Sequence, residues 1–166
     1  MMGGAPNPEE MVARLAEKMK SDPQNGQGWV QLGRSYGVLG RFAEAKDAYA
    51  NALKVFGETD AQLLADYAEV LALNDPHQRL GRESITYLVK AMQVDPNNQK
   101  ALFLSGVAAL QNQQFQLAAG YWKNLQKTLA PGTEDFQMIE QRIAEAESMA
   151  KKQVSEGSGA EAPVEK

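Results

Sequence analysis

Apolar residues recur at steps of three and four along most of the chain, which predicts a protein built of amphipathic helices. Stretches rich in Gly, Pro, Asn and Asp interrupt this pattern at intervals and are typical of turns, for example at Asp22-Pro23, Asp95-Pro96 and Pro131-Gly132. β-branched residues are scattered and form no runs, so the pattern does not indicate strands. The chain is therefore predicted to be all-α.

The predicted helices form a repeated pair. The segment Trp29–Tyr36 reads W-x2-L-G-x2-Y, and Ala45 and Ala52 follow in the next helix after a turn at Gly40. This pattern resembles the tetratricopeptide repeat, a helix–turn–helix unit of about 34 residues. Small residues at Gly33, Ala45 and Ala52 would let the two helices approach closely, while large residues fill the space between them.

The repeat recurs twice. Leu64 and Leu102 take the place of Trp29, so the anchors step by 35 and then 38 residues. The second copy is irregular because the connection between its helices, Asn74 to Gly81, is longer than that of the first copy. Three phased copies predict a right-handed superhelix of three helix–turn–helix repeats.

Two further helices are predicted to flank the repeats. Asn7 followed by Pro8 is a helix start, and Thr133 can cap a last helix. That last helix carries one apolar face, formed by Phe136, Ile139, Ile143, Ala146 and Ala150. We therefore expect a disordered N-terminus at 1–7, a tetratricopeptide-repeat domain at 8–152 (repeats 26–59, 61–98 and 99–132, capping helix 133–152) and a disordered tail at 153–166.

In repeats of this kind the first helices line a concave groove. Counting from the Trp29-type anchor predicts the groove residues in each repeat. They are Gln27, Val30, Arg34, Val38, Gln62, Asp66, Glu69, Leu73, Lys100, Phe103, Val107, Leu110 and Gln111. This wall is mostly apolar, with a basic point at Arg34 and an acidic pair at Asp66 and Glu69. Such a groove suits an amphipathic helix laid in with its apolar face down.

The composition excludes several kinds of chemistry. The chain has no cysteine and a single histidine, His77, which excludes disulfides, cysteine-ligated metals, thiol catalysis and a multi-histidine metal site within one chain. Lys plus Arg is 17 and Asp plus Glu is 21, and a net charge of −4 argues against nucleic acid as a partner. No stretch reaches the eighteen or more apolar residues of a membrane span.

The remaining candidates for catalysis or cofactor binding favour structural roles. Asp66 and Glu69 lie one helical turn apart, but an acid–base pair needs a pocket, so we expect them to be solvated or salt-bridged. His77 follows Asp75-Pro76 and is expected to be an exposed loop residue rather than a haem ligand. Five methionines are expected in the core rather than at a metal: Met11, Met19, Met92, Met138 and Met149. We predict no catalytic residue, no metal, no cofactor and no enzyme activity.

One specific partner class is disfavoured. Tetratricopeptide cochaperones grip acidic chaperone tails with Lys, Asn and Arg at set groove positions. The matching residues here are Val30, Arg34, Asp66, Lys100 and Leu104. Only two of them are basic, and Asp66 would repel a carboxylate.

Four segments resemble one family in the same order: Gly28–Tyr36, Ala65–Ala72, Ala101–Ala109 and Tyr121–Leu125. Together with Leu80-Gly81 in the long connection, they are similar to the tetratricopeptide domain of the bacterial cytochrome c maturation subunit of the CcmI/CycH/NrfG type. Gly57, where the family usually has a proline, and Phe103, where tryptophan is common, depart from its pattern.

The resemblance implies an apocytochrome c chaperone. Such domains sit on the periplasmic side of the bacterial inner membrane, attached through an N-terminal membrane segment that is absent from this sequence. They hold the C-terminal amphipathic helix of apocytochrome c and present it to the haem lyase subunits of the maturation complex. The alternative is a generic scaffold for a cell-envelope or pilus assembly complex, and a catalytic subunit is the least favoured hypothesis.

Overall fold

The computed structural model describes residues 7–158, and these residues form α-helices joined by turns and loops, without a strand. The prediction of an all-α chain is thereby confirmed. The helices are α1 (Pro8–Ser21), α2 (Gly26–Val38), α3 (Phe42–Phe56), α4 (Ala61–Leu73), α5 (Arg82–Val94), α6 (Gln99–Gln111), α7 (Phe115–Gln126) and α8 (Glu134–Ser158).

The first helix of each predicted repeat begins at an Asn or Asp cap. The side-chain oxygen of Asn25 accepts from the Gly28 N–H at 2.8 Å. At the start of α4 the Asp60 side chain accepts from the Leu63 N–H, and at the start of α6 the Asn98 side chain accepts from the Ala101 N–H. Each such bond satisfies a backbone donor that the helix itself leaves unpaired. The second helices, α3, α5 and α7, begin without a side-chain cap. The caps therefore mark where each repeat starts.

Neighbouring helices pack in pairs within two compact units. The first unit ends at Pro96 and contains α1 against α2, the pairs α2–α3 and α4–α5, and a contact between α3 and α4. The second unit begins at Asn97 and contains the pair α6–α7 with α8 packed on α7. Each pair corresponds to one repeat predicted from the sequence.

Small residues bring the helices of the first unit together, as predicted. Ala45 and Ala52 are fully buried, and Gly33 faces the ring of Tyr49 so closely that an added Cβ would lie 3.0 Å from it. Gly40 ends the first pair's turn with a φ of 72°, a value that L side chains rarely adopt. These positions explain why the repeat requires small residues there.

Trp122 is the largest fully buried side chain of the second unit. Its side chain is 1% exposed, and its indole N–H donates to the carbonyl of Phe103 at 3.2 Å. An added Cβ at Gly106 would overlap the indole ring, so the glycine makes room for the tryptophan. The helix α8, which packs on α7, contributes Ile139 and Ile143, both buried as the apolar stripe predicts.

The structure corrects the predicted end of the last helix. We expected disorder from residue 153, whereas α8 continues to Ser158. The hydroxyls of Ser155 and Ser158 donate to carbonyls within the helix, and the Gln153 amide donates to the Gln113 carbonyl at 3.3 Å. These bonds lie in the described turns of α8 beyond residue 152. The predicted disorder at residues 1–6 and 159–166 lies outside the described residues.

The methionine prediction was only partly correct. Met19 is fully buried and Met92 is half-buried. Met11, Met138 and Met149 are instead 54%, 44% and 45% exposed. The buried stripe of α1 includes Val12 and Met19, and Met11 lies beside that stripe rather than on it.

Candidate functional site

The predicted groove residues of α2 lie on one face of the helix. They follow one another at helical spacing, and we call them the groove face of α2: Gln27, Val30, Arg34 and Val38. Gln27 and Arg34 are exposed and Val30 is half-buried, while Val38 is 89% exposed. The first repeat therefore presents apolar and basic groups side by side.

The groove face of α4 consists of Gln62, Asp66, Glu69 and Leu73. Gln62 and Leu73 are exposed and Glu69 is half-buried, but Asp66 is only 5% exposed. The Gln62 amide donates to one oxygen of Asp66 at 2.8 Å. The Asp66 carboxylate is therefore buried rather than solvated.

Arg34 is the cationic partner of Asp66. Its Nη2 lies 3.8 Å from the second carboxylate oxygen, which joins the groove faces of α2 and α4. Burying a carboxylate is costly unless hydrogen bonds and an opposite charge compensate it, and here both are present. The Arg34 side chain is itself 62% exposed, so most of its surface faces solvent.

The groove face of α6 is apolar in its centre. Every predicted residue on it is half-buried, as is the neighbouring Leu104: Lys100, Phe103, Val107, Leu110 and Gln111. The rest of α6 faces inward, and Ala101, Leu102, Ser105, Gly106, Ala108 and Ala109 are all buried. The inner side of α6 is thus packed, while its apolar groove residues keep part of their surface in contact with solvent.

Sequence reasoning missed one residue beside this face. Arg142 of α8 is half-buried, and its Cζ lies 5.4 Å from the ring centroid of Phe103 and 5.7 Å from that of Trp122. These distances are within the range of cation–π attraction. The sequence signal that could have indicated Arg142 is its position directly before Ile143, a residue of the apolar stripe of α8.

The other candidates hold structural positions. His77 is an exposed loop residue, as predicted, and its backbone N–H donates to Asp75 at 2.9 Å. Burial, and then the nearby Tyr87, raise the pKa of Tyr67, whose ring packs edge-on against Tyr87. Within residues 7–158, no three His, Cys, Asp or Glu side chains come together in a way that could hold a metal ion.

The comparison with known families decides the identity of the fold. Residues 8–136 match the family model described as the cytochrome c-type biogenesis protein H TPR domain. The chain belongs to this family. The resemblance stated from the sequence segments is thereby confirmed.

Relatives of this TPR family are cytochrome c-type biogenesis proteins. The chain is 33% identical over 144 residues to CcmH of Escherichia coli K12, covering 83% of the chain and 40% of CcmH. It is 32% identical over 126 residues to CycH of Pseudomonas aeruginosa, covering 73% of the chain and 29% of CycH. It is 28% identical to NrfG of E. coli O157:H7, a subunit of the formate-dependent nitrite reductase complex. The chain thus spans less than half the length of CcmH and CycH.

Solved structures support the same fold. A MamA structure superposes with a TM-score of 0.65 at 14% identity, covering 89% of the chain and 91% of MamA. The Sgt2 TPR domain of Aspergillus fumigatus gives a TM-score of 0.61 at 18% identity, covering 85% and 87%. At these identities the likeness shows the tetratricopeptide-repeat fold alone. None of the helices that the structure describes is long and apolar enough to cross a membrane.

Proposed function

We propose that this chain is a non-enzymatic binding module of cytochrome c biogenesis. In this proposal the groove face of α6 holds the C-terminal amphipathic helix of apocytochrome c, which is then presented to the haem lyase subunits. The groove faces of α2 and α4 are proposed binding surfaces of the first unit. The family membership supports the biological setting. The chemistry of the groove faces supports the kind of ligand.

The groove face of α6 carries the proposal. Phe103, Val107 and Leu110 leave apolar surface partly open on a helix whose other side is fully packed. Covering such surface is favourable by roughly 25 cal/mol per Å² of apolar area removed from water. An amphipathic helix supplies the matching apolar stripe, with anchors three and four residues apart.

The first unit presents both apolar residues and a positive charge to the same kind of ligand. Val38 and Leu73 are exposed apolar residues on the groove faces of α2 and α4, at 89% and 36%. Arg34, whose Nη2 lies 3.8 Å from Asp66, adds a largely exposed positive charge to the groove face of α2. A client helix with apolar and acidic positions fits this arrangement better than a uniformly charged peptide does.

The proposed setting is the periplasmic side of the bacterial inner membrane. In it the protein is attached through an N-terminal membrane segment, as the family resemblance implies. The binding role needs no cofactor and no metal from this chain.

Calorimetric titration tests the proposal. The full chain is titrated with a peptide of the C-terminal helix of an apocytochrome c, with a scrambled peptide of equal charge as the control. We expect saturable binding of the native peptide alone, since only an intact apolar stripe matches the groove faces. Phe103→Ala and Arg34→Glu should each weaken that binding, because they remove an apolar contact and reverse a charge.

Two results would contradict the proposal. Equal binding of the native and scrambled peptides would mean that the apolar stripe is not recognised. Unchanged affinity in both variants would mean that the peptide binds elsewhere on the chain. Leu117→Ala provides a matched control, because Leu117 is 45% exposed on α7 and lies outside the groove faces.

A further inference from the structure

Arg142 is held in place by aromatic rings rather than by carboxylates. Its guanidinium carbon lies 5.4 Å from the Phe103 centroid and 5.7 Å from the Trp122 centroid. Trp122 is in turn fixed by its hydrogen bond to the Phe103 carbonyl. The arginine therefore has a rigid aromatic backing, and ordering it again on ligand binding would cost little side-chain entropy.

The donor groups of Arg142 remain open. A guanidinium carries five N–H donors. Among the described residues, Arg142 makes no hydrogen bond or ion pair. In the same part of the chain, no fully buried side-chain nitrogen lacks a hydrogen-bond partner. The nitrogens of Arg142 must therefore reach solvent even though the residue as a whole is half-buried.

The half-buried Arg41 shows what a structural arginine looks like in this chain. Its guanidinium donates twice to Glu44, at 2.8 and 3.0 Å, and once to Glu9 at 3.1 Å. Those bonds tie α1 to the start of α3. Arg142 has the same partial burial but no carboxylate among the described residues to neutralise it, and it borders the apolar groove face of α6.

We propose that Arg142 is a specificity-determining residue that binds a carboxylate of the helix lying on the groove face of α6. The inference rests on the proposed function and names the chemistry that function requires of its ligand. An arginine fork matches a carboxylate through two parallel hydrogen bonds, and the apolar surroundings strengthen each of them. The carboxylate comes either from an Asp or Glu side chain of the client helix or from its C-terminus.

The test pairs charge changes on both sides of the contact. The full chain, Arg142→Gln, Arg142→Lys and the control Arg14→Gln are titrated with an apocytochrome c C-terminal-helix peptide. Two modified peptides are used as well, one with a C-terminal amide and one with its Asp and Glu changed to Asn and Gln. Arg14 is an exposed arginine of α1, so its variant makes the same charge change away from α6. Thermal melts establish that each variant is folded.

We expect Arg142→Gln to weaken binding of the unmodified peptide about tenfold, the usual size for a charged hydrogen-bonded pair. The affinity of Arg142→Lys should lie between those of the parent and Arg142→Gln, because lysine keeps the charge and loses the paired donors of the guanidinium. Arg14→Gln should bind as the parent does. The difference between the parent and Arg142→Gln should disappear with one modified peptide, and that peptide identifies the source of the carboxylate.

Three outcomes would overturn the inference. If Arg142→Gln binds the unmodified peptide as tightly as the parent, Arg142 takes no part in recognition. If it loses the same factor with every peptide, Arg142 only supports the packing of Phe103 and Trp122. Both outcomes leave the proposed function standing. If the parent binds none of the peptides, the proposed function fails and this inference fails with it.

Discussion

At the scale of single residues, one glycine decides how closely α6 and α7 approach. Gly106 faces the indole of Trp122, which is 1% exposed and donates to the Phe103 carbonyl. The same carbonyl belongs to the residue whose ring borders Arg142. The packing of one buried tryptophan therefore positions two residues of the candidate site.

Replacing Gly106 with alanine should destabilise the protein. The added methyl group overlaps the Trp122 ring, and overpacking of this kind costs about 1–3 kcal/mol, more than the helix propensity of alanine returns. Urea unfolding followed by tryptophan fluorescence measures the effect. Gly120→Ala is the matched control, since Gly120 lies in α7 with no atom near its Cβ position and should be neutral or slightly stabilising. Equal effects of the two variants would contradict this account of Gly106.

Arg41 gives the stability a pH dependence. The pKa of Glu44 is lowered, and the largest cause is the hydrogen bonding from the Arg41 guanidinium. A lowered folded-state pKa means that the Glu44 carboxylate stabilises the fold above its unfolded pKa of about 4.3. That contribution is lost as the pH falls through the lower folded-state pKa.

The variant Glu44→Gln should therefore melt slightly below the parent at pH 7, by roughly 1–2 °C as is usual for exposed pairs. The difference between the two melting temperatures should shrink as the pH falls below the unfolded pKa of Glu44, because the carboxylate contribution is lost through the lowered folded-state pKa. Glu140→Gln, a change at an exposed position of α8, provides the control. A difference that grows on acidification would have the wrong sign for this ion pair.

At the scale of helices, much of the fold could be predicted because each repeat carries its own signals. The Asn and Asp caps, the small residues at Gly33 and Ala45, and the turn at Gly40 are local features, and the structure has them as expected. The extension of α8 beyond residue 152 could not be predicted in the same way. A contact from Gln153 to the distant Gln113 carbonyl accompanies these turns, and a contact between residues far apart in sequence leaves no local signal.

The buried stripe of α8 should account for its contribution to stability. Ile139 is 1% exposed, so Ile139→Ala should cost about 2–5 kcal/mol through lost burial and a cavity. Its neighbour Met138 is 44% exposed, so Met138→Ala should change the free energy of unfolding by under about 0.5 kcal/mol. Chemical denaturation of both variants compares them directly. Similar losses would show that α8 is not held by this stripe.

At the scale of the whole molecule, the sequence predicts the candidate groove residues but not how their charges pair. Counting from the repeat anchors placed the groove residues on single faces of α2, α4 and α6, because helical spacing is regular. The burial of Asp66 and its contact with Arg34 depend on two helices that are far apart in sequence. Arg142 comes from yet another helix, so no motif within a repeat could reveal it.

Site-specific photo-crosslinking tests the central claim most directly, since it reports where a bound peptide lies. A benzophenone amino acid is placed at Val107, on the groove face of α6, or at Leu117, which is 45% exposed on α7 in the same unit. Each protein is irradiated with the apocytochrome c C-terminal-helix peptide. We predict crosslinking from Val107 that unlabelled peptide competes away, and none from Leu117. Crosslinking from Leu117 alone, or equally from both positions, would contradict binding at the groove face.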